Sequence, residues 1–245
     1  MGILTVIWEK WVEFESEWLK VTISSLISPL LYMIALGWGL GSMVDVSGRP
    51  YIDFLIPGII ALTTMNTSFS ATAVTLNVQR LYEHSFDQVM ISPTPITEYI
   101  IGQAIGGALR GVYGGLLILL VALPFGASIN ITPLFCLVML LNGMAFSAFG
   151  VMAAILAKTH ADVSRYSTYA ILPMTFLCNT VFPMDRLPKA VAVLIQAMPL
   201  THASALLRSE AYGESVPLVS LLLLCGFMVV FVFVSIAVTI RRENL

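Results

Sequence analysis

Long apolar stretches, separated by short clusters of charged residues, run the length of the chain. A helix needs roughly 20 mostly apolar residues to cross the hydrocarbon core of a bilayer, which is about 30 Å thick. Five intervals are long enough for this and carry almost no charge: Lys20 to Asp45, Asp53 to Arg80, Glu98 to Lys158, Tyr166 to Met184, and Ser215 to Ile240. The pattern therefore predicts a helical protein that crosses a membrane several times.

The interval from Glu98 to Lys158 is too long for one crossing, because a single helix of that length would extend for about 90 Å at 1.5 Å per residue. Turn-forming residues cluster near its middle, at Pro124, Gly126, Asn130 and Pro133. We therefore predict two helices here, near residues 99–124 and 133–157, which brings the number of spans to six.

Residues 183–214 fit neither a span nor an ordinary loop. The stretch from Leu187 to Leu207 is mostly apolar, but Pro188 and Pro199 divide it into pieces too short to cross a bilayer. Irregular backbone at membrane depth is tolerated only where protein covers it or where it lines a cavity. We predict a re-entrant pair of short helices on the external side, followed by the sixth span over residues 215–240.

The first 20 residues have the pattern of an amphipathic helix. Apolar side chains fall on one arc, namely Leu4, Ile7, Trp8, Trp11, Phe14, Trp18 and Leu19. Polar side chains fall on the other arc, namely Glu9, Lys10, Glu13, Ser16, Glu17 and Lys20. Such a helix lies in the plane of the membrane interface. Its acidic polar face would repel anionic headgroups, so we expect a protein partner to cover that face.

Small polar residues share one face of the second span, at Thr63, Asn66, Thr67, Ser70 and Asn77. Such residues can pack helix against helix, or they can line a substrate path, and a helix at a subunit seam could do both. The opposite arc suits contact with lipid, and its members are Leu62, Met65, Phe69, Ala73 and Leu76.

The third span contains three GxxxG steps and one charged residue. Its glycines are Gly102, Gly106, Gly107, Gly111, Gly114 and Gly115, and they predict close packing against several neighbouring helices. Arg110 lies about 18 Å along this helix from Glu98, well inside the hydrocarbon. We expect main-chain carbonyls, Asn66 or Asn77 as its acceptors, and two roles stay open: a structural tether, or contact with an anionic part of a substrate.

The composition agrees with a membrane protein, because 58% of residues are hydrophobic, 11% are charged and the mean hydropathy is +0.91. Soluble domains carry roughly 25% charged residues. The net charge of −2 gives no basic surface for nucleic acid. The odd number of cysteines, all in apolar stretches, predicts free thiols at Cys136, Cys178 and Cys225.

The distribution of Lys and Arg predicts the orientation, since short cytoplasmic loops are enriched in both. Six spans put the two termini on one side of the membrane. That side would carry Lys10, Lys20, Arg80, Lys158, Arg165, Arg241 and Arg242. The other side would carry Arg49, Arg186, Lys189 and Arg208. We therefore expect both termini in the cytoplasm.

No catalytic or cofactor motif is visible in the sequence. The phosphate-binding pattern GxxxxGK[ST] is absent, and so are GxSxG and HExxH. His84, His160 and His202 are far apart and have no partner at metal-ligand spacing. We expect neither a metal site nor a cofactor in this chain.

Two blocks of sequence carry a resemblance to a known family. The first reads RLYEHSFDQVMISPTP from Arg80 to Pro95, and the glycines and Arg110 of the third span follow it. The second combines Phe182-Pro183 and Leu187-Pro188 with PLTHA from Pro199 to Ala203, and with Arg208. Over its whole length the chain resembles the permease subunit of ABC-2 type exporters, in the compact branch of nodulation-factor and daunorubicin-resistance permeases.

The resemblance implies one all-α polytopic transmembrane domain over residues 1–245. Its parts would be an interface helix at 1–20, spans one to five within 21–182, a cytoplasmic coupling loop at 79–98, re-entrant helices at 183–214 and a last span at 215–240. It also implies a second permease subunit, two ATPase subunits that bind ATP and Mg²⁺, and a place in the bacterial cytoplasmic (inner) membrane.

The resemblance assigns ATPase docking to the coupling loop, at positions Arg80, Glu83, Phe86, Asp87 and Met90. The alternative is an ordinary solvated loop. It also places the polar face of the second span near the subunit seam, where a hydrophobic or amphiphilic substrate such as a drug, a lipid or a lipid-linked glycan would pass. The substrate-path residues would be Thr63, Asn66, Thr67, Ser70 and Arg110.

Two other classes of protein remain as alternatives. An ion-coupled secondary transporter needs an acid at mid-membrane or a broken helix in each half. Pro173 interrupts one span, but no buried acid accompanies it in the sequence. An intramembrane lipid-modifying enzyme needs several ionisable groups at one depth, and the spans offer only Arg110.

Overall fold

The computed structural model describes residues 2–39, 45–46, 49–125, 130–178, 180 and 189–243. Its α-helices are α1 Gly2–Tyr32, α2 Tyr51–Leu81, α3 Ser85–Met90, α4 Ile96–Ala122, α5 Pro133–Leu156, α6 His160–Tyr166, α7 Leu172–Leu177, α8 Lys189–Gln196, α9 Pro199–Tyr212 and α10 Leu218–Glu243. Two π-helical turns, Met33–Trp38 and Ser167–Ile171, and a 3₁₀ turn, Leu123–Phe125, extend neighbouring helices. The short strands β1 (Asp45–Val46) and β2 (Arg49–Pro50) pair antiparallel before α2.

Five helical segments of the described chain are long and apolar enough to cross a membrane. They are Gly2–Gly37, Tyr51–Leu81, Ile96–Ala122, Pro133–Leu156 and Leu218–Arg242. The expected helices near 99–124 and 133–157 are thus present with boundaries close to those predicted. In α2, 78% of the most apolar window is buried, against 11% in α10, so α2 is the central helix of the bundle and α10 lies at its edge.

The first helix differs from the prediction of a separate interface helix over residues 1–20. α1 runs without a break from Gly2 to Tyr32 and continues as a π-helical turn to Trp38. No proline or glycine lies between Glu17 and Ser28 that could end it. The amphipathic segment and the first span are therefore one continuous helix.

The α4 glycines pack against three neighbouring helices, as the GxxxG steps predict. The α4 residues Gly102 and Gly106 lie against Val6 and Lys10 of α1, and a Cβ at Gly106 would come within 2.8 Å of the Lys10 Cγ. Gly107, Gly111 and Gly115 face hydroxyl-bearing residues of α2 and side chains of α5. Backbones can approach this closely only where a side chain is missing.

Hydrogen bonds at the two ends of the bundle show which helix ends lie together. At one end, Gln79 of α2 donates to Glu9 of α1 over 2.8 Å, and Arg242 of α10 donates to the Ile155 carbonyl of α5. At the other end, the Asn130 amide donates to the Ala211 carbonyl over 3.3 Å, which joins the start of α5 to the end of α9. The start of α1 and the end of α10 therefore lie at the same end.

The expected fifth span, 166–184, runs into residues 179 and 181–188, which lie outside the described part of the chain. The described helical segment from α6 to α7 begins beside Asn77, where His160 Nδ1 lies 3.1 Å from Asn77 Oδ1. It is followed by Thr180, whose backbone packs against Gly58. Nineteen residues of α2 separate Asn77 from Gly58, which corresponds to about 28 Å of helix.

The expected re-entrant segment contains two short helices, α8 and α9, with Ala197 and Met198 between them. Almost all of α9 is buried. Its Arg208 guanidinium lies 3.8 Å from the centre of the Phe54 ring and donates to the Phe54 carbonyl over 3.2 Å. Helix α9 is thus held against the start of α2, at the end of the bundle opposite α3.

Candidate functional site

A polar groove of about 550 Å³ separates α1 from α2, and α7 contributes part of its wall. We call it the α1–α2 groove. All five predicted substrate-path residues line it, namely Thr63, Asn66, Thr67, Ser70 and Arg110. From α1 the serines Ser24, Ser25 and Ser28 line the facing wall. The role of this groove in transport stays a prediction, but the structure brings the predicted residues to one place.

Helix α2 can supply this wall because its small polar residues occupy two adjacent faces. One face carries Thr64, Ser68 and Thr72, which are buried against the glycines of α4. The neighbouring face carries Thr63, Asn66, Thr67 and Ser70 and borders the groove. The groove face combines lining with packing, because Thr63 and Thr67 also lie against Gly114 of α4.

The prediction that the apolar arc of α2 contacts lipid is wrong. Its five members are all buried, with exposures of 4% or less: Leu62, Met65, Phe69, Ala73 and Leu76. Since α2 is the central helix, α4, α5 and α9 surround this arc and take the place of lipid. The sequence pattern alone does not distinguish a lipid-facing arc from a protein-facing arc, because both are apolar.

Several polar side chains on the groove face of α2 have no hydrogen-bond partner. Thr63 is only 3% exposed, and its hydroxyl is unpaired within the described chain. Asn66, Thr67 and Ser70 likewise make no side-chain hydrogen bond to any described residue, whereas Thr75, one turn further along, donates to Glu13 over 3.0 Å. The middle of the groove therefore presents free donors and acceptors.

A charged cluster closes the groove near the start of α1. Glu13 Oε1 accepts from Arg110 Nη1 at 3.2 Å and from Thr75 Oγ1 at 3.0 Å, and Glu13 Oε2 accepts from Lys10 Nζ at 3.0 Å. The side chains of Arg110 and Glu13 are 15% and 24% exposed. The expected acceptors of Arg110, which were carbonyls, Asn66 or Asn77, are therefore wrong, because an acid from α1 lies at the same depth.

The polar face of α1 has its protein partner within the same chain. Glu9 bonds Gln79 of α2, Glu13 bonds α2 and α4, and Thr22 lies 2.7 Å from the Tyr113 hydroxyl of α4. The apolar arc points outward, and its residues Trp8, Trp11 and Trp18 are all more than half exposed. An acidic face next to the membrane is thus explained by contacts with α2 and α4.

The coupling loop contains the short helix α3 between α2 and α4. Glu83 and Asp87 are exposed there, and the His84 Nδ1 lies 3.3 Å from the Asp87 carboxylate. Phe86, another of the predicted docking positions, is only 9% exposed and packs edge-to-face on Tyr99 at 6.0 Å. Met90 is half-buried beside it.

The exposed apolar residues of this loop are Tyr82 and Ile91, which are 66% and 87% exposed. They flank α3 on either side, and sequence reasoning did not single them out. The exposed surface of this loop thus contains both charged and apolar side chains, and the apolar ones are Tyr82 and Ile91.

Arg80 is engaged within the chain rather than free for a partner. Its guanidinium donates to the Ala154 carbonyl over 2.8 Å and also to the carbonyls of Ile155 and Ala157. Arg242 donates to the same Ile155 carbonyl. Both arginines thus cap the carboxyl end of α5, where the last carbonyls of a helix lack intrahelical donors.

Comparison with known proteins gives consistent matches over most of the chain. A family model described as ABC-2 type transporter matches residues 1–212. Nodulation protein J of Rhizobium meliloti (strain 1021) is 30% identical over 233 residues, which cover 92% of this chain and 89% of the relative. The inner membrane transport permease YadH of Escherichia coli (strain K12) is 26% identical over 235 residues, which cover 94% and 90%.

Proposed function

This chain belongs to the ABC-2 type transporter family, and from that premise we propose that it is the permease subunit of an ATP-driven exporter. Two copies would form the transport path, and two separate ATPase subunits, loaded with ATP and Mg²⁺, would drive it. The substrate would be a hydrophobic or amphiphilic molecule taken from the cytoplasm or the inner leaflet. Transport would follow alternating access, in which the two permease halves move between inward-open and outward-open arrangements.

The α1–α2 groove is the observation that carries this proposal. Side chains that face lipid are normally apolar, because a bilayer offers no water to satisfy polar groups. Here Ser24, Ser28 and Ser70 are exposed along the groove, and Asn66 and Thr67 are partly exposed. A second copy across this opening, with a substrate or water between the two, would remove the polar groups from contact with lipid.

We propose six crossings with both termini in the cytoplasm. The start of α1 and the end of α10 lie at one end of the bundle, which requires an even number of crossings. The helical segment that starts at His160 and continues towards Thr180 extends alongside α2 from Asn77 to Gly58. It supports a crossing in addition to the five apolar helices. Helices α8 and α9 would then be the external re-entrant pair.

The coupling loop at residues 79–98 would dock on the ATPase. It lies at the proposed cytoplasmic end, beside the termini. The exposed Glu83 and Asp87 would make charged contacts, and Tyr82 and Ile91 would make apolar contacts. Arg80 would act indirectly, by joining this loop to the end of α5.

Affinity purification of the tagged permease from native membranes, without added ATPase, tests the assembly. We expect an ABC ATPase to co-purify and to hydrolyse ATP. The double variant Glu83→Lys/Asp87→Lys should lose this ATPase while the permease stays monodisperse. Glu214→Lys, which changes an exposed acid after α9 at the opposite end of the bundle, is the matched control. Retention of a fully coupled ATPase by the double variant would contradict docking at the coupling loop.

An ion-coupled secondary transporter would need an acid inside the membrane, and the structure shows one, because Glu13 lies at the depth of Arg110. Its carboxylate, however, is already paired with Arg110 and Lys10. A coupling cation that bound this carboxylate would have to displace one of these two partners, and an unpaired charge at this depth is costly. An intramembrane enzyme also gains ionisable groups at one depth, because Lys10, Glu13 and Arg110 meet there, but these three side chains are engaged in ion pairs with one another.

A further inference from the structure

We propose that a pocket between α1 and α4 holds the headgroup of a phosphatidylethanolamine, with its phosphate on Lys10 and Arg110 and its ammonium on Glu15. We call this site the α1–α4 pocket, and its volume is about 70 Å³. Its lining includes Lys10, Trp11 and Phe14 of α1 and Leu109, Arg110 and Tyr113 of α4. The lipid would be a bound component of the permease rather than its cargo.

The α1–α4 pocket and the α1–α2 groove open on different sides of α1. Glu13 and Glu17 line the groove, whereas Trp11 and Phe14 line the pocket. Arg110 lies between the two cavities and lines both. Trp11 is 56% exposed, so the pocket is open at its outer side. A second copy placed over the groove would leave the pocket in contact with lipid.

The position of the pocket corresponds to the boundary between the headgroups and the acyl chains. Trp8, Trp11 and Trp18 are all more than half exposed on the outer side of α1, and exposed tryptophans concentrate at this boundary. The pocket includes Trp11 and therefore lies within the same band. Leu109 and Leu116 share one face of α4 and are 49% and 44% exposed, so an acyl chain can run along them.

The charged residues that line the pocket are both cations. The side chains of Lys10 and Arg110 are only 6% and 15% exposed, and they lie 3.0 and 3.2 Å from the Glu13 carboxylate. Two cations and one acid leave a net charge of +1 on this cluster. Both cations have further N–H donors to offer. A phosphate at the pocket would compensate the remaining positive charge and accept charge-assisted hydrogen bonds.

Glu15 provides an opposite charge beside the pocket. Glu9, Glu13 and Glu17 each accept a hydrogen bond from a described side chain, whereas Glu15 is exposed and has no partner within the described chain. It lies four residues after Trp11, so the two side chains are neighbours on the surface of α1. A carboxylate on a lipid-facing surface is costly unless a cation meets it. A lipid ammonium would supply that cation.

The positive cluster and the free carboxylate together select one headgroup. Phosphatidylethanolamine carries a phosphate and a primary ammonium on a short linker, so one molecule can meet the cations and Glu15. Phosphatidylglycerol has the phosphate alone and would bring a like charge towards Glu15. The quaternary ammonium of phosphatidylcholine has no N–H to donate to a carboxylate. The pocket should therefore prefer phosphatidylethanolamine to both.

Lipid binding to the delipidated permease in detergent tests the site. Native mass spectrometry of the full chain gives the apparent Kd for phosphatidylethanolamine, phosphatidylcholine and phosphatidylglycerol with identical acyl chains. We expect phosphatidylethanolamine to bind roughly fivefold more tightly than the other two. Soluble glycerophosphoethanolamine at equal concentration has the headgroup without tails and should not displace it. Displacement by this soluble compound would overturn a lipid as the occupant.

Two substitutions separate the phosphate contact from the ammonium contact. Glu15→Gln should abolish the preference, because phosphatidylethanolamine loses its acceptor and phosphatidylglycerol no longer meets a like charge. Lys10→Met keeps an unbranched stem against Gly106 but removes the charge, so it should weaken all three lipids by roughly tenfold. The control Lys20→Met removes a cation outside the pocket whose side chain is 81% exposed. It should bind lipids as the unmodified chain does.

Each other outcome counts against the site. Equal binding of the three lipids by the unmodified chain overturns the proposal, and so does an unchanged preference in Glu15→Gln. Because Glu15 is exposed, this variant decides the question even if Lys10→Met fails to fold. Folded Lys10→Met protein that binds every lipid as before overturns the phosphate contact. These measurements need no ATPase, so their result is independent of the proposed function.

Discussion

At the scale of single residues, Glu13 has the most consequential position in the structure. One carboxylate joins three helices, because it accepts from Lys10 on α1, Thr75 on α2 and Arg110 on α4. Breaking a largely buried ion pair by removing one partner is far more harmful than replacing both, since the remaining charge is left without compensation. Glu13 also has two cationic partners, whereas Arg110 has one acid in the described chain.

This asymmetry gives an ordered prediction for stability. Glu13→Gln should lower the free energy of unfolding by roughly 3 kcal/mol at most, because the pair is partly exposed, and Arg110→Gln should lower it less. The double variant should be more stable than Glu13→Gln alone. Thermal denaturation followed by fluorescence-detected size exclusion gives the order. Glu15→Gln, an exposed acid on the same helix, should change nothing. Equal midpoints for Glu13→Gln and Glu15→Gln would mean that the cluster does not hold the helices together.

Helical spacing in the sequence groups the α2 residues that line the α1–α2 groove but does not reveal their neighbours. Thr63, Asn66, Thr67 and Ser70 follow from helical spacing alone, because the residues belong to one helix. The Glu13–Arg110 pair does not, because the two residues are 97 positions apart. The sequence places Glu13 in a predicted interface helix that ends at residue 20. Because α1 in fact continues to Tyr32, the depth of Glu13 in the membrane could not be derived from the sequence. Tyr82 and Ile91 were missed for a similar reason, since exposure depends on how α3 folds back.

At the scale of helices, the glycines of α4 leave no room for a larger side chain. A Cβ at Gly111 would lie 2.7 Å from the Thr64 carbonyl and would collide with the Ser68 hydroxyl. Both neighbours belong to α2, which also packs closely against α5, so that Ser68 lies beside Gly143 as well. Neither helix can move away without opening the centre of the bundle.

Replacement of Gly111 by Leu should therefore prevent assembly. We expect the Gly111→Leu variant to be aggregated or degraded, with a loss of more than nine-tenths of the monodisperse peak in size exclusion. Gly226 on α10 offers a matched control, because no atom of another described helix lies within 4 Å of where its Cβ would be. Gly226→Leu should be recovered in normal amounts. Normal recovery of Gly111→Leu as well would contradict the close packing of α4 on α2.

The positions of the helices along the chain are easier to predict from sequence than the molecules or helices that each face contacts. The boundaries of α4 and α5 follow closely from apolar length and turn residues, and the glycines correctly indicate close packing. The continuity of α1 was missed because a change in polarity at Lys20 resembles the end of an element, although backbone geometry there stays helical. The buried apolar arc of α2 was missed because lipid and protein interiors select the same side chains.

At the scale of the whole molecule, the exposed polar wall of the α1–α2 groove predicts how two copies would meet. Polar side chains at membrane depth are stable when a partner or a water-filled path covers them. Helix α10 has the opposite character, with exposed Leu218, Leu222 and Phe233 that suit lipid. The dimer seam should therefore lie on the α1 side of the bundle and leave α10 at the periphery.

Cysteine cross-linking in membranes checks this arrangement. In a background where Cys136, Cys178 and Cys225 are replaced by alanine, Ser28→Cys should form a cross-linked dimer with a short bifunctional reagent. Leu222→Cys, which is 72% exposed on α10, should stay monomeric in denaturing gels. Efficient cross-linking through Leu222→Cys with none through Ser28→Cys would place the seam on the other side of the bundle.

The cluster at Glu13 also affects the order in which the helices settle in the membrane during synthesis. Helix α1 leaves the ribosome before α2 and α4, with Glu9 and Glu13 on a face whose partners are Gln79, Thr75 and Arg110. Until α4 has been synthesised, that acidic face has no protein to contact within the chain and favours the headgroup region over the hydrocarbon. Full insertion of α1 would thus wait for α4, although α1 is translated before it.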